Sequence, residues 1–169
     1  NPKMGKPAMV VSATVSTSPT MIYFGQEVGE PAAEKAGFGS PSRTSIFDYI
    51  GVPHFQRWVN YKKFDGGQLS EDEKSLRDFY KKLLNFTLGS SAMMGKFQEI
   101  HRHNLYFTKG YHPSTFSFLR WSLQQNLLII CNFSPTLKSE FEIQIPRHAV
   151  HDMGLQDGVY QIVDRLNDS

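Results

Sequence analysis

Cysteine is almost missing from this chain. Of 169 residues one is a cysteine, Cys131, so no disulfide can close within the sequence. It sits in the apolar run "NLLIICNF", where a small buried hydrophobe is expected rather than a reactive thiol. Long apolar runs are missing too: no window approaches the about 18 residues of a membrane span, which argues against a membrane as partner. Charge of one sign is also lacking. The 18 basic and 16 acidic residues leave a formal charge of +2, with no basic stripe of the kind a nucleic-acid binder needs. No signal peptide is visible, and the chain opens on asparagine, so it reads as an excerpt or a processed piece whose targeting signal could lie upstream. The sequence names no compartment.

What remains is ordinary globular material, 40% apolar and 13% aromatic, long enough for one sizeable domain or two small units with a real core. "PAMVVSATVSTSPT" opens on Pro7 and stops at Ser18-Pro19, which marks a helix despite its β-branched interior. Met21 to Phe24 are apolar at every position, as a parallel strand covered on both faces requires. Helix, turn and covered strand suggest a piece of an α/β architecture. Residues 25 to 69 are rich in Gly, Pro and aromatics, which predicts a long, ordered, functional loop rather than disorder.

"SEDEKSLRDFYKKLLNFTLG" is the clearest element. Ser70 and Glu73 form a capping box, Leu76, Phe79, Tyr80, Leu83 and Leu84 make an apolar stripe, and Gly89 ends the helix. Glu73 with Arg77 and Asp78 with Lys82 are expected as i, i+4 pairs. Beyond Gly89 the period falls from 3.6 to 2. "KFQEIH", "TFSFLRWSL", "NLLIICNFS", "SEFEIQI" and "GVYQIVDRL" read as five strands, which suggests an antiparallel β-sandwich. His101 and His103 would share a face of the first of these, without the further ligands a metal site wants.

"SPTMIYFGQEVGEP", "SIFDYIGVPHFQRWVN", "LRDFYKKLLNF" and "NLLIICNFSPT", in that order, resemble four segments in the C-terminal part of an α-amylase-family glycoside hydrolase. The first is similar to that family's last barrel strand and its exit: Pro19, Tyr23, Gly25, Glu27 and Gly29 match, while Ser18 and Phe24 depart. The resemblance implies a multi-part α+β chain. Residues 1–89 would be the final α/β unit of a TIM-type (β/α)8 barrel, and residues 90–169 the antiparallel β-sandwich called domain C. Active sites of barrels lie at the rim where such strands end, so Gln26, Glu27 and the aromatic loop would line a sugar-binding cleft. Candidate substrate-binding residues are Glu27, Arg43, Asp48, Tyr49 and Trp58, each also readable as a residue that packs or holds the loop.

Retaining glycosidases need two carboxylates about 5 Å apart. The resemblance places the family's catalytic Asp, Glu and Asp upstream of Asn1, so it implies no catalytic residue in this chain. The expected activity is then a contribution to a parent enzyme acting on α-glucosidic linkages of starch- or glycogen-type glucans. No cofactor is expected here, although calcium is common in the parent family. A separate barrel unit would expose strand edges and invite self-association. The rival reading is a free-standing carbohydrate-binding β-sandwich module.

Overall fold

A computed structural model of the chain describes residues 2–30 and 52–167. Among these are five α-helices and one open, three-stranded antiparallel sheet. The helices are α1 (Pro2–Thr14), α2 (Pro53–Val59), α3 (Glu71–Gly89), α4 (His101–Phe107) and α5 (Arg147–Asp152). The strands are β1 (Lys96–Glu99), β2 (Thr115–Trp121) and β3 (Asn126–Asn132), in spatial order β1-β2-β3. The chain divides into two compact units, one of Lys3–Thr20 with Leu83–Ser169 and one of Met21–Lys82.

This is a small α+β fold, and it overturns the architecture expected from the sequence. Among the described residues there is neither a piece of a (β/α)8 barrel nor a β-sandwich. Met21–Phe24 is not a strand. Met21 is 87% exposed and Tyr23 and Phe24 are each 44% exposed, so the run lacks the cover on both faces that its composition suggested. The reason is local. The Gln26 side-chain oxygen accepts from Tyr23 N at 3.1 Å while Gln26 N donates to Tyr23 O at 2.9 Å, closing a turn on hydrogen bonds a ladder would have needed. Gly25, at φ 79°, takes the left-handed conformation that turn requires.

In the first unit β2 is the central strand, and all but one of its residues are buried. Leu119 and Trp121 project from one face into a core with Ile100 and Ala149, against which Leu128, Ile143, Ile145 and Met153 pack. On the other face Phe118 stacks with Phe97 and Phe116, both at 5.4 Å. Arg120 is also on that face, only 2% exposed, and among the described residues no carboxylate pairs with it. Its guanidinium donates instead to backbone carbonyls: Ala92 O at 3.2 Å, Val15 O at 3.3 Å, Gly95 O at 3.4 Å and Met93 O. Burial lowers its pKa from the usual guanidinium value. Gly95 must be glycine here, because a Cβ would lie 1.8 Å from the Trp121 carbonyl oxygen.

The expected fourth and fifth strands do not form. "SEFEIQI" keeps its alternation: Phe141 packs on Tyr111 at 5.1 Å, and Ile143 and Ile145 join the core. Its backbone partner, however, is a side chain. Asn104, fully buried on α4, accepts from Gln144 N at 2.8 Å and donates to Gln144 O at 2.9 Å. One amide thus takes the place of a neighbouring strand. In "GVYQIVDRL", Val159 is 103% and Ile162 79% exposed, so those apolar residues have no dry surface to define a strand. His101 and His103 begin α4 rather than extend β1, and two residues apart on a helix they point in different directions.

Replacing Asn104 with alanine should destabilise this unit by about 3 kcal/mol, since it strands both backbone groups of Gln144 and the Thr108 hydroxyl that Asn104 Oδ1 accepts from at 2.7 Å. Urea denaturation followed by near-UV circular dichroism of Trp121 reads this directly. Gly95→Ala should be at least as costly, because the clash is with backbone that cannot rotate away.

Candidate functional site

The second unit holds the aromatic and acidic residues that the sequence singles out. Pro53 opens α2 at a position where its missing N–H is harmless. The Phe55 N–H in the first turn donates to Glu30 Oε2 at 2.9 Å, a cap supplied from a distance. Three residues apart, Phe55 and Trp58 share a face of α2, with ring centroids 5.5 Å apart. The turn at Gly25 sets Phe24 on Phe55 at 4.0 Å, and Phe64 meets Trp58 edge-on at 5.9 Å. Phe24, Phe55, Trp58 and Phe64 therefore form a continuous aromatic chain. The Arg77 guanidinium carbon lies 5.1 Å from the Trp58 ring centroid, a cation–π arrangement.

Glu73 is the electrostatic centre. Its side chain is 7% exposed. Arg57 forks onto it, with Nε 3.1 Å from Oε2 and an Nη2 bond to Oε1. Ser70 N donates to Oε2 at 2.8 Å, and Ser70 Oγ accepts from Glu73 N at 3.3 Å, completing the expected capping box. His54 Nδ1 lies 2.8 Å from Glu73 Oε1 and 3.2 Å from the Val28 carbonyl. Both partners are acceptors, so Nδ1 carries the proton. The Arg57 hydrogen bonds hold the Glu73 carboxyl at about 2, against the desolvation that alone would raise it. Arg57 is correspondingly raised by its bond to Glu73. The i, i+4 pair expected between Glu73 and Arg77 gives way to these longer-range partners, and Arg77 covers Trp58 instead.

Between α2 and α3 the backbone is strained. Asn60, Tyr61, Lys62 and Phe64 all have positive φ, at 44°, 53°, 70° and 55°. For residues other than glycine this costs about 1–2 kcal/mol each, least for asparagine. Local hydrogen bonds hold the loop: Phe64 N to Val59 O at 3.0 Å, Gly66 N to Trp58 O at 3.0 Å, and Asp65 Oδ1 accepting from Asn60 Nδ2 at 2.7 Å and Gly67 N at 2.9 Å. The Asn60 bond, first, and the Gly67 bond lower the Asp65 pKa.

Of the expected substrate-binding residues, Glu27 lies on the short 3-10 turn Gln26–Val28 and Trp58 on α2; Arg43, Asp48 and Tyr49 lie outside the described residues. Glu27 is half-buried, and its charge adds to the burial that raises the Tyr80 phenol, whose oxygen accepts from Gln26 Nε2 at 3.0 Å. Trp58 is half-buried and occupied on its sides by Phe55, Phe64 and Arg77, so it is a packing residue first. The exposed rings among the described residues of the unit are others: Tyr61 at 82%, Phe64 at 59%, Tyr23 and Phe24 at 44%. The Glu73–Arg57–His54 cluster was not foreseen, because nothing at the spacing of α2 and α3 announces it. Among the described residues no group of three His, Cys, Asp or Glu side chains is placed to hold a metal ion, and no helix is long and apolar enough to cross a membrane. In the other unit Cys131 is buried and its thiol is pushed up to about 11, as expected of a packing cysteine. Set against protein-family profiles, curated proteins and solved structures, the chain matches none.

Glu73 is ionised more easily in the folded chain than in the unfolded one. Its stabilisation, at most about 3 kcal/mol, is therefore complete above about pH 4.5 and fades as the pH falls towards 2. Glu73→Gln should lose about 2–3 kcal/mol at pH 7 and show a flatter acid limb in denaturation midpoints measured from pH 7 to pH 2.

Proposed function

We propose that this chain is a non-catalytic C-terminal segment of an α-amylase-like glycoside hydrolase and that it supplies binding surface for α-glucans of the starch and glycogen type. Four motifs in the family's order support the affiliation. The observation that carries the binding role is the set of exposed aromatic rings in Met21–Lys82, namely Tyr23, Phe24, Tyr61 and Phe64, on the same unit as the half-buried carboxylate of Glu27. A pyranose ring has an apolar face of C–H groups and an equator of hydroxyls. Aromatic faces with polar neighbours match both.

Chemistry of the retaining kind is not expected from the described residues of this unit. The carboxylate buried among them, Glu73, is pinned in the ionised form by Arg57 and has no proton to give a leaving group at neutral pH. Glu30, a second acid among the described residues that meets α2, spends one oxygen on the Phe55 N–H.

The test is calorimetric. Maltoheptaose titrated into the 169-residue chain should bind with a dissociation constant of about 1 mM or tighter, and cellohexaose should bind at least several-fold more weakly. Incubation with soluble starch should release no reducing ends. Equal affinity for the two sugars, no binding of maltoheptaose, or release of sugar would each refute the proposal.

A further inference from the structure

We infer that residues 60–67 form a preshaped sugar-binding loop in which Tyr61, rather than Trp58, is the ring on which a pyranose of the glucan stacks. The inference rests on the α-glucan reading above and assigns it to one side chain.

Three observations converge on Tyr61. First, Trp58 is taken: Phe55 and Phe64 lie within 6 Å of its ring, Arg77 covers it at 5.1 Å, and a Cβ at Gly66 would sit 3.5 Å from its Cδ1. A pyranose would have to displace Arg77 to reach it. Second, Tyr61 is the most exposed aromatic residue among the described residues of the unit, at 82%, so burial does not account for its ring. Third, the backbone that carries it runs through left-handed conformations at Asn60, Tyr61 and Lys62 in succession, at φ 44°, 53° and 70°. Strain of this kind persists only where surrounding bonds over-determine it, and it gathers at ligand-binding sites. Here the surrounding bonds are visible: Asp65 clamps Asn60 and Gly67, and the Val59 and Trp58 carbonyls hold Phe64 and Gly66. Glycine at position 61 would relax the backbone and lose little buried area. The sequence places glycine at 66 and 67 of the same loop but a tyrosine at 61.

The clamp also explains how a single exposed ring can bind. A ring on a loose loop loses its freedom on binding, which offsets most of the stacking gain. A ring on a loop already fixed by Asp65 loses little, and its flat face can meet the C–H face of a sugar while neighbouring polar groups meet hydroxyls.

Maltoheptaose binding to the full chain, by calorimetry, separates the possibilities. Tyr61→Ala should weaken binding about tenfold, and Tyr61→Phe, which keeps the ring, should stay within about threefold of the unsubstituted chain. Tyr61→Gly should weaken binding as alanine does while raising the thermal midpoint by about 2–4 °C, the signature of strain released at a binding residue. Binding by Tyr61→Ala equal to that of the unsubstituted chain would overturn the inference and leave the α-glucan reading standing. So would loss of binding in Tyr61→Phe, which would shift the role to the hydroxyl, or the absence of any rise in midpoint for Tyr61→Gly. If the unsubstituted chain fails to bind maltoheptaose, the α-glucan reading falls and this assignment with it.

Discussion

One carboxylate holds the Met21–Lys82 unit in its shape. Glu73 stands in the first turn of α3, yet its strongest partners, Arg57 and His54, belong to α2. The ion pair therefore closes the connection between the two helices, and the strained loop 60–67 lies within that closure. The His54 proton reaches Val28 as well, so the 3-10 turn after Gly25 is tied to the same point. A buried carboxylate is costly unless its lone pairs are used, and here they are used four times, by Arg57 twice, by Ser70 N and by His54. Removing any one of these partners leaves the carboxylate short of a donor. The capping box, by itself a local device, becomes part of a long-range clasp.

The other unit solves a related problem at β2. A strand buried on both faces leaves no water for the polar groups around it. Arg120 sits there with no carboxylate beside it among the described residues, and it is accommodated because four of its five N–H groups fit a cluster of carbonyls at Val15, Ala92, Met93 and Gly95. Those carbonyls come from the end of α1 and from the short helical turn Ser91–Met94, places where a helix or turn leaves acceptors unsatisfied. The charge is spread over dipoles rather than met by an anion. The close approach of Gly95 to the Trp121 backbone belongs to the same arrangement, since a side chain there would separate the turn from the strand.

Much of this was legible in the sequence, and the rest failed for identifiable reasons. The helix from Glu71 to Gly89 follows from its stripe and its capping box, both of which are local. The three strands Lys96–Glu99, Thr115–Trp121 and Asn126–Asn132 coincide with three of the five alternating runs. Alternation in "SEFEIQI" correctly reported one dry face and one wet face, but a dry face does not specify a hydrogen-bond partner, and Asn104 took that role. The apolar Met21–Phe24 run misled for the opposite reason: composition suggested burial, whereas the Gln26 side chain two residues beyond it had already closed the backbone into a turn. At the site, the aromatics between residues 55 and 64 were visible as a group, while the ranking among them was not. Trp58 has the better ring for stacking, and only its neighbours reveal that the ring is already in use. The pairing of Glu73 with Arg57 and His54 spans 16 and 19 residues across a turn of unusual backbone shape, and no periodicity encodes it.

A common device links these departures. Where the chain lacks a backbone partner, a side chain stands in: Gln26 for a strand beside Tyr23, Asn104 for a strand beside Gln144, Glu30 for the missing helical turn before Phe55, Asp65 for a backbone acceptor at Gly67. Such substitutes satisfy the polar groups as well as a ladder does, but they act one at a time and do not propagate along the chain. Regular structure beyond them is therefore short, and each junction depends on a single residue. For loop 60–67 the consequence is specific. Its geometry rests on the Asp65 carboxylate and a few backbone bonds rather than on packing, because Tyr61 and Phe64 are largely exposed. Local opening there costs less than unfolding the helices that flank it, so the shape of the loop depends on the Asp65 clamp while Glu73 keeps α2 and α3 in register.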